Sequence, residues 1–247
     1  MSLFRNYFFL TWLFCLVCPL LFAGEKSVKM GMGYKAYENN SHQILLHSGR
    51  YFYGGYSYQF GQKFRNKVQF QISNSNREII SDINYVSAST GANIFYDFNY
   101  RLINLKNIKL HAGTYIGDDF VLNFFPKLDK ENFFWENQSF FGLSSTNNFL
   151  LAKNRRIDFN FRIPIYSGII FNKMDRLDGE VPGNRPNLFY SGYGNKLLNA
   201  NAEFGYIFSK YGLSFGVYYQ MEYNRTGEFV HRRVTGQAHS LSVRLLY

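Results

Sequence analysis

From residue 28 onward, apolar and polar positions alternate with a period of two, in blocks separated by turn-forming segments. That period belongs to strands with one apolar face rather than to helices. Val28, Met30, Met32, Tyr34 and Ala36 oppose Lys29, Gly31, Gly33 and Lys35 in the first block. A second strand spans about 43–60, with Phe52, Tyr56, Tyr58 and Phe60 on its apolar face and Tyr53, Gly55, Ser57 and Gln59 behind them. Its upper part, 45–49, breaks the alternation, which predicts a bulge there. Val68, Phe70 and Ile72 mark a third strand, and Ile94, Tyr96, Phe98, Tyr100 and Leu102 a fourth, backed by Asn93, Asp97, Asn99 and Arg101. Ile108, Leu110, Ala112, Thr114 and Ile116 form the apolar set of the fifth, with Lys109, His111, Gly113 and Tyr115 opposite. The sixth, about 136–151, is less regular. The seventh carries Ile157, Phe159, Phe161, Ile163 and Ile165 against Asp158, Asn160, Arg162 and Pro164. Proline donates no ladder hydrogen bond, so a bulge or a strand edge is expected at Pro164. The eighth runs from Leu198 to Phe208 and the ninth from Leu213 to Tyr223. The tenth, 237–247, sets Leu241, Val243, Leu245 and Tyr247 against Ala238, Ser240, Ser242 and Arg244.

The connections alternate in length. Short ones follow the second, fourth, sixth and eighth strands, at 61–67, 103–107, 152–156 and 209–212. Long ones lie at 73–90, 117–135, 167–195 and 224–236, although Ile79, Ile80 and Val86 hint that the strands around the first of these extend past the membrane, and a shorter polar loop at 37–42 follows the first strand. Blocks of about ten residues are long enough to cross a bilayer when tilted. Short turns on one side and long loops on the other are the pattern of a membrane-spanning barrel. The fold class expected is therefore all-β, an antiparallel up-and-down transmembrane β-barrel of ten strands, with eight or twelve as alternatives. A soluble β-sandwich is the fold rival, but it gives no reason for the turn asymmetry.

Residues 1–24 form a separate object. Arg5 precedes an apolar stretch from Tyr7 to Phe22, and Ala23 and Gly24 offer a small-residue cleavage site. This is the layout of an export signal, which divides the chain into a signal peptide, 1–24, and a barrel domain, 25–247. An uncleaved anchor is the alternative. Neither Cys15 nor Cys18 sits in a lipoprotein motif. As both cysteines of the chain lie in this segment, disulfide, thiol and cysteine–metal chemistry are excluded from the rest.

The signal segment, the strand parity, the short and long connections and the aromatic Tyr247 together resemble the outer-membrane β-barrel proteins of Gram-negative bacteria. The usual terminal residue of that class is Phe. The resemblance implies location in the cell outer membrane. Expected partners are outer-membrane lipids, lipopolysaccharide and the barrel-assembly machinery, which would read Leu241, Val243, Leu245 and Tyr247. No motif points to one family within the class.

Composition changes the picture in two places. Aromatics make up 20% of the chain, almost all Tyr and Phe, which suits barrel walls and interfacial girdles. The net charge of +10 invites a nucleic-acid reading. Instead the cations gather in the short turns (Lys63, Arg65, Lys67, Lys106, Lys153, Arg155, Arg156 and Lys210), where they either attract anionic headgroups or simply keep the turns solvated. No nucleic-acid partner is expected, as no recognition motif accompanies the charge.

The inward set is the candidate site. Asp97, Arg101, His111, Asp158, Arg162, Glu203, Glu222 and Arg244 bring both signs into a barrel too small for a wide channel. Two readings follow: a network of ion pairs that plugs the interior, with function carried by the long loops, or a narrow charge-lined pore. Three sharper ideas are weaker. His239 with Ser240 and Ser242 suggests a lipid-modifying enzyme, but the serines have the opposite parity. Asp118, Asp119 and His231 suggest an omptin-like protease, but no Asp flanks His231. Asp118, Asp119, Asp129 and Glu131 match no calcium-loop spacing. The expectation is a non-enzymatic barrel without metal or cofactor.

Overall fold

The computed structural model describes residues 24–39, 45–80, 85–124, 133–171, 188–193, 197–211, 213–229 and 232–247. The export signal expected at 1–24 lies outside them, apart from Gly24. Eleven strands follow in chain order: β1 (Glu25–Asn39), β2 (Leu45–Phe60), β3 (Phe64–Ile80), β4 (Tyr85–Asn104), β5 (Ile108–Phe124), β6 (Phe133–Ala152), β7 (Arg155–Phe171), β8 (Leu188–Tyr193), β9 (Leu197–Lys210), β10 (Leu213–Phe229) and β11 (Arg232–Leu246). They form one antiparallel sheet that closes through β1–β11 and β6–β7. β9 pairs with the lower part of β7, Arg155 to Arg162, and β8 with its upper part, Tyr166 to Phe171. The two therefore share one position in the wall, and the barrel has ten staves.

The hydrogen-bonded rows climb as they go round. From Arg155 on β7, one row passes through Phe208, Phe215, Leu245, Val28, Tyr56, Phe70, Ile94, Asp118 and Ser139. It returns to β7 at Gly168, thirteen residues farther along, one of which is the unpaired bulge residue Ile165. With a rise of about 3.3 Å per residue and about 4.8 Å between strands, this stagger gives a strand tilt of about 40°. Each residue then climbs about 2.5 Å along the barrel axis.

The expected outward set faces outward. Met30, Met32, Phe52, Ile72, Phe98, Leu143, Phe204, Val217, Leu241 and Val243 are all exposed. The outer surface turns polar between Phe52 and Arg50 on β2, Ile72 and Asn74 on β3, and Ala92 and Thr90 on β4. On β4 the apolar stretch from Leu102 to Ala92 covers about 25 Å of height, close to the apolar band of a membrane barrel. The rest of β4, up to Tyr85, continues for about another 17 Å at the same tilt.

That continuation corrects the loop boundaries. The segments 73–90, 117–135 and 224–236 are largely strand: β3 reaches Ile80, β5 reaches Phe124 and β10 reaches Phe229. The segment 167–195 holds the top of β7 and all of β8. Above the apolar belt the outer face no longer meets hydrocarbon, so the period-two signal fades while the backbone ladder continues. The bulge expected at 45–49 is absent, because β2 keeps an unbroken register with β1 from Leu45 to Gln59. At Pro164 both expectations hold. The β6–β7 register slips there, and β7 changes partner from β9 to β8 just above it.

Candidate functional site: the charged interior

Inward positions alternate with the lipid-facing ones, so every strand delivers polar side chains into a space about 20 Å across between backbones. The interior is filled. Arg162 makes a two-pronged pair with Asp97, Nε to Oδ1 at 2.8 Å and Nη2 to Oδ2 at 2.6 Å, and its Nη2 also donates to Gln69 Oε1 at 3.3 Å. Arg244 Nη2 lies 2.6 Å from Glu203 Oε2, and the other oxygen of Glu203 accepts from Asn160 at 3.0 Å. Asp158 is paired with Arg156 at 2.9 Å and accepts from Asn148 at 2.6 Å and from the Tyr218 hydroxyl at 3.3 Å. Glu222 accepts from Gln220 at 2.7 Å and Asn201 at 3.4 Å.

Two of the eight candidate charges stand apart. Arg101 is half-buried at the short-turn rim and has no carboxylate at ion-pair distance among the described residues. His111 is buried, and its Nδ1 has no hydrogen-bond partner among the described residues. Its cross-strand partners are Arg101 on β4 and Thr146 on β6.

Sequence reasoning missed three parts of the interior. Arg156, assigned to a turn, points in and bridges Asp158 and Glu25. Arg65, assigned likewise, is buried and bonded to Asn148. Aromatic rings also fill the lumen. The Arg162 guanidinium sits 4.6 Å from the centre of the Phe95 ring and the Arg244 guanidinium 3.8 Å from that of Tyr218. Phe95 in turn packs on Tyr115 and Phe140, with centroids 6.2 and 6.4 Å away. Cations over ring faces are attracted more strongly when desolvated. A signal for Tyr218 was present: its cross-strand neighbour is Gly205, where an added Cβ would come within 2.2 Å of the ring. The glycine leaves room for the ring to lie flat on the wall.

Three cavities between these groups are each about 20 Å³. One is lined by Lys67, Asp97, Arg162, Glu203 and neighbouring amides, a second by Phe95, Tyr115, Phe140, Glu222 and others nearer the long loops, and a third lies nearer the short turns. A cavity of that size holds about one water molecule.

Among the described residues, the histidine and serine of the lipid-modifying idea do not come together. Ser240 points inward and shares a hydrogen bond of 3.2 Å with the Tyr53 hydroxyl. His239, on the other side of the wall, stacks on Tyr219 and meets its hydroxyl at 2.5 Å through Nδ1. Asp118 faces outward and accepts from Asn137 at 3.2 Å and Ser139 at 2.8 Å, whereas Asp119 lines the second cavity. His231, Asp129 and Glu131 lie outside the described residues. No group of His, Asp and Glu suited to a metal occurs among the described residues. Of the terminal-strand set, Leu241, Val243 and Tyr247 are exposed and Leu245 is half-exposed. The Tyr247 backbone is tied to Lys26 by two hydrogen bonds of 2.9 and 3.0 Å.

No family model matches the chain, and no curated protein matches it. Solved structures do. The outer-membrane protease OmpT from Escherichia coli superposes with a TM-score of 0.59 over 91% of this chain and 96% of its own, at 6% identity. The translocator domain of the autotransporter NalP from Neisseria meningitidis gives 0.47 over 100% and 96%, at 11% identity. Ail, the attachment invasion locus protein of Yersinia pestis, gives 0.34 over 92% and 100%, at 10% identity. At such identities the likeness is one of fold. The chain has the fold of the bacterial outer-membrane β-barrels, closed at ten staves.

Proposed function

We propose that this barrel is a structural and surface-interaction protein of the cell outer membrane, with a closed interior and no catalytic role. The short turns face the periplasm, and the strand ends with the loops at 73–90, 117–135 and 167–195 meet the partner outside. The observation that carries this reading is the filling of the lumen. Paired charges and inward aromatic rings occupy it, and three of the spaces between them are each about 20 Å³. Lipids and lipopolysaccharide surround the wall, and Leu241, Val243, Leu245 and Tyr247 present the outward pattern for the assembly machinery.

A small passive channel is the second reading, favoured by the polar lining of those cavities. Single-channel recording of the refolded protein in a planar bilayer separates the two, once a shift in gel mobility on boiling has shown that it is folded. Silence across voltages is the expected outcome. Steady current steps of reproducible size would overturn the closed reading and turn Asp97 and Arg162 into a selectivity filter.

A further inference from the structure

The charge on the interior is not balanced, and the surplus is concentrated in the half nearer the short turns. The cavity there is about 20 Å³ and is lined by three cations, Arg65, Lys67 and Arg244, and by the hydroxyls of Ser27, Ser57 and Tyr218. Two carboxylates also border it, Glu25 and Asp158, but Arg156 binds both. Arg244 is balanced by Glu203, yet its Nε has no acceptor among the described residues. The side-chain partner of Arg65 is the neutral amide of Asn148. Neither Arg65 nor Lys67 has a carboxylate at ion-pair distance among the described residues. Just above, Lys29 is 3% exposed and its Nζ has no hydrogen-bond partner among the described residues. In register it stands directly opposite Arg244, a like charge.

Buried cations without counter-charges are costly, and like charges opposed across two strands repel. A water molecule would supply hydrogen bonds to such a cluster but would not neutralise it. The cavity has room for one occupant of about water size. The lining also holds the amides of Gln59 and Asn160, and Asn160 Oδ1 is an acceptor without a partner among the described residues. Ser27 and Ser57 bond to each other at 2.7 Å, which leaves one of the two hydroxyl protons free to donate. The way in from the short-turn end passes the Glu25–Arg156 pair, whose side chains are 36% and 23% exposed.

We propose that this cavity is a binding site for one small monovalent anion of chloride size, held by Arg65, Lys67 and Arg244 and reached from the short-turn end. The site neutralises the interior and so couples barrel stability to the surrounding anion. It is independent of the surface role proposed above.

The test is thermal unfolding of the refolded protein in sodium gluconate and in sodium chloride at equal ionic strength, titrating one salt against the other. The midpoint is expected to rise by roughly 3–6 °C with chloride and to saturate, as one-site binding does. Lys67→Met should abolish the rise. Equal midpoints in the two salts, a rise that never saturates, or a rise that persists in Lys67→Met would each overturn the proposal. If Lys67→Met does not refold, crystals of the unaltered protein in bromide decide. An anomalous peak within reach of Arg65 and Lys67 supports the site, and a cavity holding only water sinks it.

Discussion

Removing Arg162 tests the closed interior most directly. Its side chain is 11% exposed and that of Asp97 is 3% exposed, and the two share a bidentate contact with oxygens at 2.6 and 2.8 Å. Arg162→Met keeps much of the volume but leaves Asp97 buried and uncompensated. Breaking one side of a buried pair typically costs about 3–5 kcal/mol. The loss of the Phe95 face adds about 0.5–2 kcal/mol, since the guanidinium lies 4.6 Å from that ring. Replacing both partners with apolar residues, Asp97→Leu with Arg162→Met, removes the stranded charge and should recover most of the loss. The assay is urea unfolding of the refolded barrel in lipid vesicles, followed by far-ultraviolet circular dichroism and by Trp135 fluorescence. A cost below about 1 kcal/mol for Arg162→Met, with no recovery in the double variant, would refute the reasoning. Such a result would mean that Asp97 is hydrated by a continuous water column, as in a pore.

Lys29→Met removes a buried ammonium that faces Arg244 and lacks a hydrogen-bond partner, so stability measured by the same urea titration should stay level or rise by about 1–2 kcal/mol. A loss would show that Lys29 has an essential counter-charge. Gly205→Ala places a methyl group against the fully buried Tyr218 ring and should cost roughly 1–3 kcal/mol by overpacking; an unchanged midpoint would mean that the ring does not lie there. His239→Leu removes a lipid-facing hydrogen bond worth about 1 kcal/mol. It should leave the phospholipid and lipid A composition of expressing cells unchanged. A shift in either composition would instead favour an enzyme acting at the bilayer face.

The wall of this barrel was legible in the sequence, because hydrocarbon on one side and packed polar groups on the other impose a strict period of two. Val28 to Tyr34 and Leu241 to Val243 face as their parity requires. Where hydrocarbon ends, the pattern ends too. The top of β4, from Tyr85 to Gly91, reads as polar loop with only Val86 to hint otherwise, although it keeps its ladder with β3 throughout and with β5 from Ala88. The division of one stave into β8 and β9 was equally hidden, since Pro164 warned of a break in β7 without saying which partner would replace β9. In the interior, parity placed Asp97, Arg162, Glu203 and Arg244 inside, but pairing depends on stagger. Asp97 on β4 meets Arg162 on β7 across the lumen, a match that no local spacing encodes. Arg65 and Arg156 escaped because a basic residue beside a short turn looks the same in sequence whether it points to solvent or inward.

The continuation of the strands above the apolar belt has a mechanical consequence. The strand ends form a hydrogen-bonded collar that stands about 17 Å clear of the hydrocarbon boundary. Hydroxyls such as the bonded pair Ser75 and Ser89 brace the collar from within. A molecule that docks on these strand ends would meet backbone already held in a ladder, and little chain entropy would be lost on contact. Affinity there could be retuned by replacing strand-end residues one at a time, because each side chain stands on a hydrogen-bonded ladder rather than on its sequence neighbours alone.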